Sequence, residues 1–244
     1  MHDTAMGLGQ LFFELYWQDI VGRPRVIVEV GSQDVNGSLR AFAPAGSVYL
    51  GIDLEKGEGV DLVATEPSEL PLVDESVDTV VSTSCFEHDA MFWLTFLEMV
   101  RVLAPGGLIY LNVPSNGKYH AMPEDCWRFY PDSGLALERW AKRMGRDVVL
   151  LESFLSERRT GEWNDCVLVF GRPPATLPSL CLHERWRGVT NIRRRDRVGL
   201  GEASPLTEDQ RLLVRAGWVF SSEGVSFQGR DPFGDATRVD SARS

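Results

Sequence analysis

A chain of 244 residues with 43% hydrophobic content can bury one sizeable core, so one domain with extensions is expected rather than two full domains. The formal net charge of −10 argues against a nucleic acid partner, because that affinity rests on Lys and Arg neutralising phosphates. No apolar run reaches the roughly 18 residues of a membrane span and no signal-type segment opens the chain, so a cytoplasmic protein with no membrane partner is expected. The cysteines, Cys85, Cys126, Cys166 and Cys181, form no C-x-x-C pair, and the histidines do not group at ligand spacing. Reduced thiols and no metal are expected.

In chain order, apolar residues at Leu8, Leu11, Phe12, Leu15 and Tyr16 recur at helical spacing and predict a helix over Leu8 to Ile20. Strands are predicted at Arg25 to Val30, Val48 to Ile52, Val60 to Val63, Val77 to Ser82, Leu108 to Val113, Val148 to Ser153 and Cys166 to Phe170. Helices are predicted near Ser38 to Phe42, Ala90 to Val102 and Ser133 to Met144. Alternation of strand and helix implies an α/β fold with a parallel sheet between two helical layers, and the closely spaced last strands imply an antiparallel finish. Beyond Gly171, Pro173, Pro174 and Pro178 mark a boundary. This divides the chain into an N-terminal helical segment (1–24), a main domain (25–171) and an Arg-rich, irregular extension (172–244). Within the extension, Thr207-Glu208-Asp209-Gln210 has the capping-box pattern and predicts a short helix ending near Gly217, followed by a disordered tail.

The first strand ends Glu29-Val30-Gly31-Ser32-Gln33-Asp34, and the second ends in Asp53 about 20 residues beyond the turn. An open parallel sheet binds ligands outside the carboxyl ends of its strands, where a glycine turn admits the ligand and an acid accepts from ribose hydroxyls. A dinucleotide needs further glycines in that turn for its pyrophosphate to approach, and here Ser32, Gln33 and Asp34 follow Gly31. Asp34 would also repel two phosphates. S-adenosylmethionine, with adenosine, no phosphate and an ammonium group, fits better.

The ordered series from Val26 to Phe170 resembles the class I S-adenosylmethionine-dependent methyltransferases of the type 11 kind. The resemblance rests on Glu29-Val30-Gly31, Asp53, Glu66-Pro67 ahead of Leu70-Pro71, Asp78 to Ser82, Cys85-Phe86-Glu87-His88 and Arg101 to Leu108 with its Pro105-Gly106-Gly107. It implies a Rossmann-like, mostly parallel seven-stranded sheet with an antiparallel last strand. It further implies that Glu29 and Gly31 lie beside the methionyl end of the cofactor and that Asp53 holds the ribose, with Ser32 and Leu54 also among the cofactor-binding residues. By the same resemblance, Glu66 and Pro67 touch the adenine, and the backbone at Ser84 walls the methionyl group. The turn departs from the family, for Gln33 stands where many members carry a second glycine.

Methyl transfer is an in-line displacement in which the protein aligns acceptor and methyl, and a hydroxyl acceptor gains from a general base. Two segments beyond the fourth and fifth strands offer one. His88 is a candidate for base duty or substrate contact, or else a residue at the start of a helix. In the long loop from Asn112 to Tyr130, His120 is the leading base and Asp125 a second; the alternative is a lid held by its own hydrogen bonds. Trp127 and Tyr130 could stack on an acceptor or pin the loop. Arg128 could meet an anionic substrate or pair with Glu124 or Asp125. The run Trp127-Arg128-Phe129-Tyr130-Pro131 resembles methyltransferases of carbohydrate and secondary-metabolite pathways, which implies a small-molecule hydroxyl acceptor.

The arginines between Arg185 and Arg197 admit a solvated tail, a subunit-exchange or docking arm, or a clamp for a phosphorylated acceptor, and a homodimer is a possible assembly. Two other functions compete with methyl transfer: a non-catalytic member of the fold used for interaction or regulation, and an NAD-linked oxidoreductase, which the missing glycines disfavour.

Overall fold

β-branched residues buried on both faces place the strand Val26–Val30 inside the sheet, and the same reasoning holds for the other apolar runs. The computed structural model describes residues 2–17, 23–159, 163–221 and 224–227, and the chain divides into the units Met1–Ala203 and Ser204–Ser244. In chain order the first unit contains α1 (Asp3–Tyr16), β1 (Val26–Val30), a 3-10 turn (Leu39–Phe42), β2 (Val48–Asp53), β3 (Leu62–Val63) and β4 (Val77–Thr83). There follow α2 (Phe92–Val102), β5 (Leu103–Asn116), α3 (Asp132–Arg143), β6 (Val149–Ser156), β7 (Asn164–Gly171), α4 (Leu182–Arg185) and β8 (Val189–Arg194).

The sheet order is β3-β2-β1-β4-β5-β7-β6-β8. β3, β2, β1, β4 and β5 pair in parallel, β7 runs antiparallel between β5 and β6, and β8 is antiparallel on β6. Strand order reverses between β1 and β4, and the crevice at their carboxyl ends is where this architecture receives ligands.

Two apolar layers sandwich the sheet. α1, the 3-10 turn and α4 bring Leu8, Phe12, Leu39 and Leu182 onto the face carrying Ile27, Val81, Tyr110 and Val169. α2 and α3 bring Phe96, Met99, Leu137 and Ala141 onto the opposite face with Val28, Val80, Leu111 and Leu168. The spacing of Phe92, Phe96, Met99 and Val100 gives α2 a single apolar stripe for this purpose. α3 carries Asp132 in its first turn and Lys142 and Arg143 in its last, in accord with the helix dipole.

Three expectations change. The sheet has eight strands, because Val189–Arg194 of the Arg-rich stretch is an edge strand and not irregular chain. Its backbone bonds to β6, while Arg193 pairs with Asp132 (2.7 Å) and Arg194 with Glu184 (2.8 Å), so an arginine-bearing edge is stable without an alternating apolar pattern. The segment predicted as a helix at Ser38 to Phe42 is a 3-10 turn capped by Ser38. α1 starts earlier than predicted and ends at Tyr16, and Ile20 lies outside the described residues.

The second unit holds α5 (Glu208–Arg215), whose Thr207 and Gln210 form the predicted reciprocal cap, and an antiparallel pair, β9 (Trp218–Ser221) with β10 (Gly224–Phe227). The expected tail from 228 onward lies outside the described residues. Among the described residues no helix is long and apolar enough to cross a membrane.

One buried acid ties the sheet to the segment that precedes it. Asp78 accepts from the Val26 amide (2.8 Å) and takes both terminal nitrogens of Arg23 (2.7 Å each). Burial opposes its ionisation, yet these donors prevail and hold the carboxyl below its ordinary value. Asp78→Ala should destabilise the protein by about 1–3 kcal/mol, a figure that leaves out exposed Arg23 and counts the stranded amide. Because the folded value lies below the unfolded one, that contribution is present above pH about 4 and fades as pH falls through the folded value. Denaturant titrations of both proteins at pH 7 and pH 3 check this: the difference should shrink at the lower pH.

Candidate functional site

The turn after β1 is held by backbone. Gly31 sits at φ +78°, and a Cβ there would lie 2.6 Å from the Cys85 sulfur, so conformation and space both require glycine. The Gly31 and Ser32 amides donate to the Ile52 carbonyl (3.0 and 3.2 Å), which folds the turn over the end of β2. There Asp53 accepts from the Gln33 amide (2.9 Å) on one oxygen and from the Leu54 amide (2.7 Å) on the other, and each oxygen keeps a further lone pair for an outside donor. Asp34 turns its carboxylate onto the Gly37 amide (2.6 Å) and its amide onto the Glu58 carbonyl (2.9 Å). The Asp34 side chain thus closes the loop onto the amide three residues on.

The other cofactor candidates lie in different environments. Glu29 is buried and accepts from Ser38 Oγ (2.7 Å), Tyr49 OH (2.9 Å) and the Leu39 amide (3.4 Å), so its carboxylate braces the 3-10 turn. Burial raises its pKa. Ser32 Oγ is buried, and a Cβ at Gly51 would lie 2.6 Å from it. Leu54 and Glu66 are exposed, and the Pro67 carbonyl accepts from Thr95 Oγ1 (3.2 Å). Ser84 adopts φ +49°, a left-handed conformation uncommon outside glycine, and its amide donates to the Asn112 carbonyl (2.9 Å).

Beyond β4 and β5 the long loop is tied down residue by residue. The Cys126 and Trp127 amides donate to the Glu87 carbonyl (2.7 and 3.3 Å), Trp127 Nε1 donates to the Asp89 carbonyl (3.0 Å), and the Phe129 amide donates to Pro114 (2.9 Å). Arg128 grips Asp125 with both terminal nitrogens (2.5 and 2.8 Å) and spends its other bonds on the Trp127 and Lys118 carbonyls (2.8 Å each). Of the two partners offered to Arg128 by the sequence, an anionic substrate or a neighbouring acid, the fold supplies the acid. Trp127 packs edge-on against Phe92 with ring centroids 5.5 Å apart, which serves the loop as an anchor, and Tyr130 is 47% exposed.

This loop brings His120 beside His88, with ring centroids 4.8 Å apart. Glu87, His88 and His120 each place a ligand-capable atom within 4.8 Å of the others, a grouping invisible in their sequence spacing. Beneath them Asp125, its side chain 1% exposed, accepts from the His120 amide (2.7 Å) and lies 3.3 Å from His120 Nδ1, outside hydrogen-bond geometry. Arg128 holds the Asp125 carboxyl well below the usual carboxylate range. Burial lowers the His120 pKa and pushes Glu87 up to about 8.

Sequence reasoning missed the neighbours supplied by β7. Trp163 packs on the His120 ring (4.5 Å between centroids), and a Cβ at Gly117 would fall 2.2 Å from it. Asp165, buried at the start of β7, bonds His2 Nε2 (3.0 Å). Nothing in the sequence signals these contacts, since they depend on β7 lying next to β5.

Comparison with known proteins agrees with this geometry. A family described as a methyltransferase domain matches residues 35–111. An uncharacterized methyltransferase of Mycobacterium bovis is 32% identical over 122 residues, 45% of this chain and 46% of its own. One from Mycobacterium leprae is 33% identical over 124 residues, 45% of this chain and 44% of its own, so the chain spans about half the length of the curated relatives it matches. Among solved structures, the 1,6-didemethyltoxoflavin-N1-methyltransferase of Burkholderia thailandensis aligns at a TM-score of 0.55 and 17% identity, covering 70% of this chain and 79% of that one. Residues 35–111 thus match a methyltransferase domain, and the fold is similar to that of a solved methyltransferase.

Proposed function

We propose that the protein transfers a methyl group from S-adenosylmethionine to a small-molecule acceptor, at a hydroxyl of a sugar or secondary metabolite. The observation that carries this reading is the pairing of two chemistries on one sheet edge: an acid with spare lone pairs at Asp53, and histidines beside the buried carboxylate of Asp125. Asp53 accepts from the ribose hydroxyls, Gly31 and Ser32 border the methionyl end together with Ser84, and Glu66 and Pro67 border the adenine. Glu29 supports the turn from beneath. The Burkholderia enzyme, whose structure holds 1,6-didemethyltoxoflavin and S-adenosylhomocysteine, gives precedent for a small acceptor on this fold.

Bound S-adenosylmethionine supplies an electrophilic methyl; the acceptor oxygen bonds to that carbon while the carbon–sulfur pair passes to sulfur. The chain's part is to align the oxygen, keep water out and receive its proton. His120 takes that proton, Asp125 stands beside the ring, and His88 borders the same space. Trp127, Arg128 and Tyr130 shape the acceptor side, Arg128 by holding Asp125.

Incubation with deuteromethyl-labelled cofactor and a panel of sugar and metabolite hydroxyls tests the reading by mass spectrometry. Label is expected in an oxygen-methylated product. Cofactor binding without label transfer to any acceptor supports instead a non-catalytic member of the fold.

A further inference from the structure

We propose that Glu87, His88 and His120 bind a divalent first-row transition-metal cation at the acceptor end of the site. Donor type comes first: two imidazoles and one carboxylate suit such ions and leave coordination positions open for oxygen ligands. Ligand-capable atoms of the three lie within 4.8 Å of one another. Around an ion at roughly 2.1 Å from each, such atoms stand about 3–4 Å apart, so small side-chain rotations close the set.

Two further observations point to a ligand. Glu87 is 1% exposed, and among the described residues its buried Oε2 has no hydrogen-bond partner. A buried carboxylate oxygen left bare is costly unless something positive meets it. The second is the tautomer of His88. Its Nδ1 hydrogen-bonds the Glu124 carbonyl, which can only accept, so Nδ1 carries the hydrogen and Nε2 presents a lone pair. That Nε2 lies 3.7 Å from Glu87 Oε1, and backbone-oriented imidazole is the usual arrangement of a metal-binding histidine.

A second cluster, Glu152, Cys181 and His183, shows the contrast. There Glu152 Oε1 accepts from Tyr16 OH (2.6 Å) and the Leu182 amide (2.9 Å), and Oε2 from His183 Nδ1 (2.6 Å) and its amide (3.3 Å). An ion would have to break those bonds, so that cluster is a structural joint between α1, β6 and α4.

The cation's catalytic consequence rests on the proposed function. With the cluster loaded, the acceptor hydroxyl takes an open position on the ion, loses its proton to solvent water and attacks the methyl carbon as an oxyanion. His120 then serves as a ligand, and its role as proton acceptor belongs to the metal-free protein.

The test uses the full chain stripped with chelator and titrated with Co(II), read by visible absorption and calorimetry. One ion per chain is expected. His88→Ala, His120→Ala and Glu87→Gln, each verified as folded by circular dichroism, should weaken binding about tenfold or more, and Cys181→Ser should leave it unchanged. Absence of saturable Co(II) binding by the unmodified protein overturns the site, as does binding unaffected by His88→Ala or abolished by Cys181→Ser. S-adenosylmethionine binding measured on the same sample separates the two readings, since intact cofactor binding without cobalt binding removes the cation site alone.

Discussion

In the metal-free protein, His120→Ala is expected to lower turnover with a hydroxyl acceptor by about 10²–10⁴-fold while leaving S-adenosylmethionine affinity nearly unchanged. The size follows from the proposed role of the ring as acceptor of the hydroxyl's proton. The selectivity follows from how the loop is held. Asp125 is gripped by Arg128 and by the His120 backbone amide (2.7 Å), and neither contact involves the imidazole. Removing the ring therefore leaves the loop's main tether in place, along with the docking of Cys126 and Trp127 on the Glu87 carbonyl. Steady-state kinetics at saturating cofactor, with calorimetry for its affinity, check the separation. Equal loss of both would show a ring that acts through loop structure, and turnover close to that of the unmodified enzyme would show catalysis by positioning alone.

Asp53→Ala is expected to weaken cofactor binding by about 1–3 kcal/mol, or several-fold to more than a hundredfold in dissociation constant. In the proposed site the acid does two things at once. It offers lone pairs to the ribose diol, and it pins the Gln33 and Leu54 amides (2.9 and 2.7 Å), so on this reading its loss both removes a ligand contact and loosens the turn that carries Gly31. A companion substitution divides the effects. Asp34→Ala also releases a turn amide, that of Gly37, but removes no group assigned to the ribose. Its effect on affinity should be the smaller of the two, and equal effects would locate the loss in the turn.

Much of the central sheet was legible because β1 and β7 are buried on both faces and carry near-continuous apolar runs, Val26 to Val28 and Cys166 to Phe170. The glycine turn and Asp53 were legible for a different reason: a positive φ and a strand-ending acid are local features, readable without knowing the fold. Pairwise geometry was not. Glu87 and His88 follow β4, His120 follows β5, and only the parallel pairing of those strands brings the three together. β8 escaped notice because an edge strand needs backbone partners more than an apolar pattern, and its arginines find Asp132 and Glu184 from distant segments. The structure also gives sequence features a narrower meaning. Arg128 and Trp127 tie down the loop, and Glu29 braces a 3-10 turn from within the core.

Cofactor choice is the claim on which the proposed chemistry depends, and isothermal calorimetry of the full chain with S-adenosylmethionine and with NAD tests it most directly. One saturable S-adenosylmethionine site per chain, weakened by Asp53→Ala, together with no heat from NAD, is the predicted result. Saturable NAD binding with no response to S-adenosylmethionine would contradict it.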